Sequence, residues 1–183
     1  SSTQNLTTLV SDVDSSFTVT PTCDGGIVTI TGDTGGIFAL NPLPTDAAVI
    51  NTATGEVSGG TSGTTYTIEY TTVGSCTDSS TQDVTVIIAE DSSFTVTPTC
   101  DGGTVTITGD TGGAFTFNPL PADGAVIDSA TGEVTGGTSA STYTIEYTTA
   151  GACPDTSTQD VIVLPSEDSS FTVTPTCDGG TVT

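Results

Sequence analysis

DSSFTVTPTCDGG, residues 14–26, is the stretch on which the reading of this chain turns. It returns unchanged at 91–103 and 168–180, and the cysteines keep the same step: Cys23, Cys100 and Cys177 are 77 positions apart, as are Cys76 and Cys153. A fixed period of this kind makes the repeat the folding unit. Inside the phrase, Phe17, Val19 and Pro21 alternate with Thr18, Thr20 and Thr22, which is the two-residue period of a half-buried strand. Asp24-Gly25-Gly26 supplies a turn, and Val28 and Ile30 resume the alternation, so the phrase opens a β-hairpin.

Working outward, residues 14–90 and 91–167 are two whole repeats, identical at about three-quarters of their positions. Residues 1–13 (SSTQNLTTLVSDV) match 79–90 (SSTQDVTVIIAE) apart from one insertion and read as the last strand of a preceding module. Residues 168–183 read as the first hairpin of a truncated following one, so the sequence looks like a window in a longer array. Within a repeat, Phe38 and Leu40 point inward before Asn41-Pro42-Leu43-Pro44 ends their strand, because two prolines cannot serve a central ladder. Val49-Ile50 and Glu56-Val57 flank a short turn. Tyr66, Ile68 and Tyr70 share one face of the strongest strand, and Val84, Val86 and Ile88 face inward on the last. No 3.6-residue apolar period occurs. Six or seven short strands per repeat predict an all-β chain of tandem immunoglobulin-like β-sandwich modules with a 77-residue repeat.

Composition narrows the partners. There is no Lys, Arg or His against 22 Asp plus Glu, a formal charge of -22. Nucleic acid is excluded, since phosphate binding draws on Lys and Arg, and no apolar run approaches the ~20 residues that span a bilayer. Hydrophobic content of 33% in strict alternation argues against disorder. The outward Thr residues suit a pleated surface and keep it soluble.

Five regularly spaced Cys without His suggest disulfides rather than zinc, and hence an extracellular or cell-surface location. Two pairings are open. Bonds within modules would join Cys23 to Cys76 and Cys100 to Cys153, leaving Cys177 unpaired by truncation; bonds across the boundary would join Cys76 to Cys100 and Cys153 to Cys177. Loops of roughly 54 and 25 residues give about 4.2 and 3.5 kcal/mol in the chain-entropy model, too close to decide. The intramodule pattern is preferred because so small a domain gains from its own staple.

Other chemistry is sparse. Glu90-Asp91 and Glu167-Asp168 at the module junctions, with Asp83 and Asp160 nearby in sequence, are candidate calcium ligands, although two adjacent acids fall short of an EF-hand's ligand density. Asp128-Ser129-Ala130 resembles a short O-glycosylation signal, which makes Ser129 a candidate site, and Asn5-Leu6-Thr7 fits an N-glycosylation acceptor. Without His, Lys or Arg there is no ordinary base, Schiff-base amine or oxyanion clamp, so no enzyme and no cofactor beyond calcium is expected.

TPTCDGG-VTITGDTGG, FNPLPADGAVIDSATGEVTGG, TYTIEYTTAGACP and STQDVIVL in the second repeat resemble the tandem Ig-like repeats of very large surface adhesins from gliding Bacteroidetes, of the SprB type and secreted through the type IX pathway. The central NPLP…TGEV segment is also similar to broader bacterial Ig-like and cadherin-like modules. The resemblance implies a non-catalytic, structural or adhesive stretch of a long extracellular fibre. Its partners would be neighbouring modules, identical chains in a filament, and a surface or glycan target. Two alternatives are polysaccharide-binding modules appended to a secreted enzyme, which need exposed aromatics, and the subunit of a polymeric sheath.

Overall fold

The computed structural model describes residues 13–167 and 170–182. The first repeat forms seven strands: β1 (Phe17–Pro21), β2 (Gly26–Ile30), β3 (Ile37–Leu40), β4 (Val49–Ile50), β5 (Val57–Ser58), β6 (Thr65–Thr71) and β7 (Ser79–Thr85). They pair as β1-β2-β5-β4 and β3-β6-β7, antiparallel throughout. Lettered A to G, these are the ABED and CFG sheets of a constant-type immunoglobulin domain. The second repeat builds the same two sheets from β8 (Phe94–Pro98), β9 (Gly103–Ile107), β10 (Ala114–Phe117), β11 (Val126–Ile127), β12 (Val134–Thr135), β13 (Thr142–Thr148) and β14 (Thr156–Ile162). The third copy of the phrase gives the hairpin β15 (Val173–Thr176) and β16 (Gly179–Val182). Residues 1–12, expected to be a strand, lie outside the described residues.

The alternation read from the sequence fills the space between the sheets. Phe17, Phe38, Leu40, Tyr66, Ile68, Tyr70, Val84 and Val86 are buried, with Val19, Val28 and Ile30 packed against them. Phe38 stacks on Tyr70 with ring centroids 4.3 Å apart, and Phe17 meets Phe38 edge-on at 5.7 Å, the arrangement that ring quadrupoles favour. Phe94, Phe115 and Tyr147 repeat the cluster in the second unit. The buried hydroxyls are satisfied. Tyr70 donates to the Asp33 carbonyl at 2.7 Å and accepts from the Gly36 amide at 3.0 Å, and no buried side-chain polar atom among the described residues lacks a partner. Ile88 departs from the expected pattern at 72% exposed. The ladder with β6 ends at Thr85 and only Val86 continues inward, its amide donating to the Thr64 carbonyl at 2.9 Å.

Two compact units are formed, and their boundary does not follow the repeats. The first runs to Glu90 and also takes in Gly151–Pro154, while the second comprises Asp91–Ala150 and continues from Asp155. A segment that is second-repeat in sequence is therefore packed with the first unit.

Candidate functional site

The direction of each strand fixes where the cysteines lie. In the first unit, Ser15 ahead of β1 donates from its amide and hydroxyl to Asp78 Oδ2 at 3.2 and 2.7 Å, whereas the Ile87 amide beyond β7 donates to the Thr22 carbonyl at 3.0 Å. β1 and the β7 segment thus run parallel. Cys23, one residue after Thr22, stands at one end of the sandwich, and Cys76, two residues before Asp78, stands at the other. The seven residues from Ser15 to Thr22 span roughly 23 Å at ~3.3 Å each, far beyond the ~7 Å that a disulfide allows between Cα atoms. The second unit has the same polarity: Ser92 donates from its amide and hydroxyl to Asp155 Oδ2 at 3.3 and 2.7 Å, and the Leu164 amide donates to the Thr99 carbonyl at 2.9 Å.

The expected Cys23–Cys76 and Cys100–Cys153 bonds are accordingly absent. Instead Cys23 is bonded to Cys153, with Cα atoms 5.5 Å apart and 130 positions between them in sequence. Cys76, Cys100 and Cys177 are exposed free thiols. Neither bond of the boundary-crossing alternative is formed: Cys153 is committed to Cys23, which excludes Cys153–Cys177, and Cys76 and Cys100 both remain free thiols.

The Cys153 segment has a built seat. Glu90, at the end of the first repeat, donates its amide to the Cys153 carbonyl at 3.1 Å, and its carboxylate accepts the Gly151 amide at 3.0 Å. On the other side, the Cys23 turn is closed by the Thr22 amide donating to the Gly25 carbonyl at 3.0 Å, while the Asp24 carbonyl accepts from Gly60 at 2.9 Å. Gly25 is required there: a Cβ would lie 2.1 Å from the Val57 carbonyl oxygen. Covered in this way, Cys153 is only 4% exposed.

A second constellation recurs in both repeats. Tyr66 donates its hydroxyl to Asp46 and accepts the Thr61 amide at 2.8 Å, and Thr61 Oγ1 also donates to Asp46 Oδ2 at 2.7 Å. Tyr143, Thr138 and Asp123 form the counterpart, with the hydroxyl of Tyr143 2.5 Å from Asp123 Oδ2. A tyrosine near the start of the sixth strand bonding to backbone just upstream is the tyrosine corner of immunoglobulin-like folds. The Tyr66 hydroxyl, followed by Thr61, lowers the Asp46 carboxyl from 3.8 to about 2; the Tyr143 hydroxyl, followed by Thr138, holds the Asp123 carboxyl below its ordinary value. Open grooves beside these corners, of about 470 Å³ next to Tyr143 and about 250 Å³ next to Tyr66, are lined by Pro-Leu-Pro loops. Their carboxylates already accept bonds from hydroxyls.

Among the described residues the candidate calcium ligands are not brought together. Asp83 accepts from Thr67 Oγ1 at 2.6 Å, Asp160 from Thr144 Oγ1 at 2.7 Å, Glu90 from Gly151 and Asp91 from the Ser93 amide at 2.9 Å. Glu167 is exposed, Asp168 lies outside the described residues, and among those described no three carboxylate or thiol groups are grouped to hold a metal. Ser129 is exposed on a turn in which Asp128 Oδ1 accepts the Ala130 and Thr131 amides at 2.8 and 2.9 Å, so the Asp of that motif shapes the turn. Asn5 lies outside the described residues.

No protein-family model matches the chain, and no curated protein matches it. Solved structures do. One is the protocadherin gamma B2 extracellular cadherin domains 3–6, similar over 85% of this chain at 14% identity and a TM-score of 0.35. This chain spans 50% of that one.

Proposed function

We propose that this chain is a structural and adhesive repeat region of a long extracellular fibre or surface adhesin, without catalytic activity, in which successive repeats are stapled covalently. The carrying observation is the Cys23–Cys153 bond, which ties the first turn of one repeat to the last turn of the next. Such a bond persists in oxidising, extracytoplasmic compartments, in keeping with the resemblance to gliding-associated surface adhesins. Tension applied to the chain ends passes from Cys23 through the sulfurs to Cys153 and bypasses the residues between. The polysaccharide-binding reading is weaker because every Phe and Tyr from residue 13 to 167 is buried, so neither repeat offers an aromatic platform to a sugar.

Single-molecule stretching from the two termini tests this role. With the disulfide intact, the 130-residue span should be withheld from extension, about 450 Å of contour at roughly 3.5 Å per residue. A reductant should release it. Equal contour lengths in oxidised and reduced protein would remove the load-bearing role and leave only a row of domains.

A further inference from the structure

The staple uses two half-sites, and each occurs twice. The Cys23 half-site is the β1–β2 turn; its equivalent is the β8–β9 turn at Cys100. There the Thr99 amide donates to the Gly102 carbonyl at 3.0 Å, the Asp101 carbonyl accepts from Gly137 at 2.8 Å, and the Leu164 amide holds the Thr99 carbonyl as Ile87 holds that of Thr22. The Cys153 half-site is the β13–β14 turn, bounded by Thr149 and Asp155; its equivalent is the β6–β7 turn at Cys76. The Asp155 amide donates to Thr149 Oγ1 at 2.8 Å and the Asp78 amide to Thr72 Oγ1 at 2.8 Å, with Ser92 and Ser15 anchoring the two carboxylates alike. Even the seat recurs, since Glu167 stands one repeat after Glu90, and Gly74 one repeat before Gly151. One member of each pair of half-sites is bonded. The other two, Cys100 and Cys76, are exposed thiols on the same scaffolds.

We propose that Cys100 and Cys76 are the two halves of a further disulfide made between two copies of this chain, Cys100 of one copy bonding Cys76 of another and joining them head to tail. Glu167 of the first copy would seat Gly74 of the second, as Glu90 seats Gly151. The oxidant is a small-molecule disulfide. One protein thiolate attacks it, forming a mixed disulfide and releasing one small thiol; the second protein thiolate attacks the protein sulfur of that intermediate, releasing the other. The two protein thiols lose two electrons and two protons in all, and one small disulfide becomes two small thiols. The coupling stands apart from any adhesive role, because it depends only on the repeated half-sites.

The test uses the full chain carrying Cys177→Ser, with Cys23–Cys153 verified by peptide mapping, oxidised by glutathione disulfide at moderate salt so that the -22 charges of the two copies are screened. The parent should give a ladder of covalent oligomers on a non-reducing gel, with Cys76–Cys100 as the linking peptide. Adding Cys76→Ser or Cys100→Ser separately should leave monomer, whereas mixing those two variants should give dimer and nothing larger. Glu167→Ala should slow coupling several-fold while leaving the thiols' reaction with a small alkylating agent unchanged. Either single variant dimerising alone as readily as the mixture, or a parent that stays monomeric, overturns the proposal.

Discussion

The phrase SSFTVTPTCDGG meets three surroundings in one chain, and its behaviour separates what it encodes from what it borrows. In the first two copies Phe17 and Phe94 are each 2% exposed, but in the third Phe171 is 65% exposed. The register does not change. Pro21 faces Gly26, Pro98 faces Gly103 and Pro175 faces Gly180. Turn chemistry and strand alternation therefore set the hairpin locally, while burial of its phenylalanine needs the opposite sheet, where Phe38 and Tyr70 or Phe115 and Tyr147 wait. The cysteine that ends the phrase behaves in the same way. Cys23 is bonded and Cys100 is free on a turn of the same geometry, so the partner of each is set by what lies outside its own repeat.

The phenylalanines offer the sharpest way to break this comparison. Phe94→Ala should cost the second unit about 3–5 kcal/mol, because it empties a packed aromatic cluster, whereas Phe171→Ala should stay within about 0.5 kcal/mol, as exposed substitutions do. Chemical denaturation of the two variants measures both. Equal losses would mean that the third hairpin is packed as the first two are.

The tyrosine corners come next. Tyr66→Phe removes the acceptor of the Thr61 amide and the donor to Asp46. Loss of the backbone bond, at ~1 kcal/mol, should lower the melting temperature of that unit by roughly 4–8 °C. The effect should depend on pH in a definite sense. The Asp46 pKa is lowered on folding, so the carboxylate's contribution is present above its ordinary 3.8 and is lost as pH falls through about 2. Relief of repulsion among the acids acts the other way in the same range, but it is common to both proteins. The difference in melting temperature between parent and variant should therefore be constant above about pH 5 and shrink between about pH 4 and 2. A difference that does not change with pH would detach Asp46 from the corner.

The smallest effect concerns one residue that differs between the repeats. Ala140 holds φ of 61° where Gly63 holds 72°. That region costs a residue with a side chain roughly 1–2 kcal/mol. Ala140→Gly should raise the stability of the second unit by about 1 kcal/mol, and Gly63→Ala should lower that of the first by a similar amount. Calorimetry of the two variants reads both signs, and matching signs would show that the two turns are not equivalent.

The separation of Cys23 from Cys76 is legible in the strand count. Between the turns at Cys23 and Cys76 lie five strands, β2 to β6. Where successive strands reverse direction, an odd number of strands between two turns puts the turns at opposite ends, which rules out the intramodule bond without coordinates. Loop entropy was a poor guide because it varies only with the logarithm of length. The seat at Glu90 was not legible. An acid at a module junction looks like a calcium ligand in sequence, and only the fold presents the Gly151 amide to it.

By itself the sequence determined the repeat, the alternation and hence the two facing sheets, because strand period, turn residues and apolar pattern are local properties that every copy carries alike. Tertiary structure decided which cysteines meet, where Ile88 points and whether a given copy's phenylalanine is covered. Those outcomes depend on groups brought together from distant positions, up to 130 residues apart, and identical local sequence cannot distinguish between them.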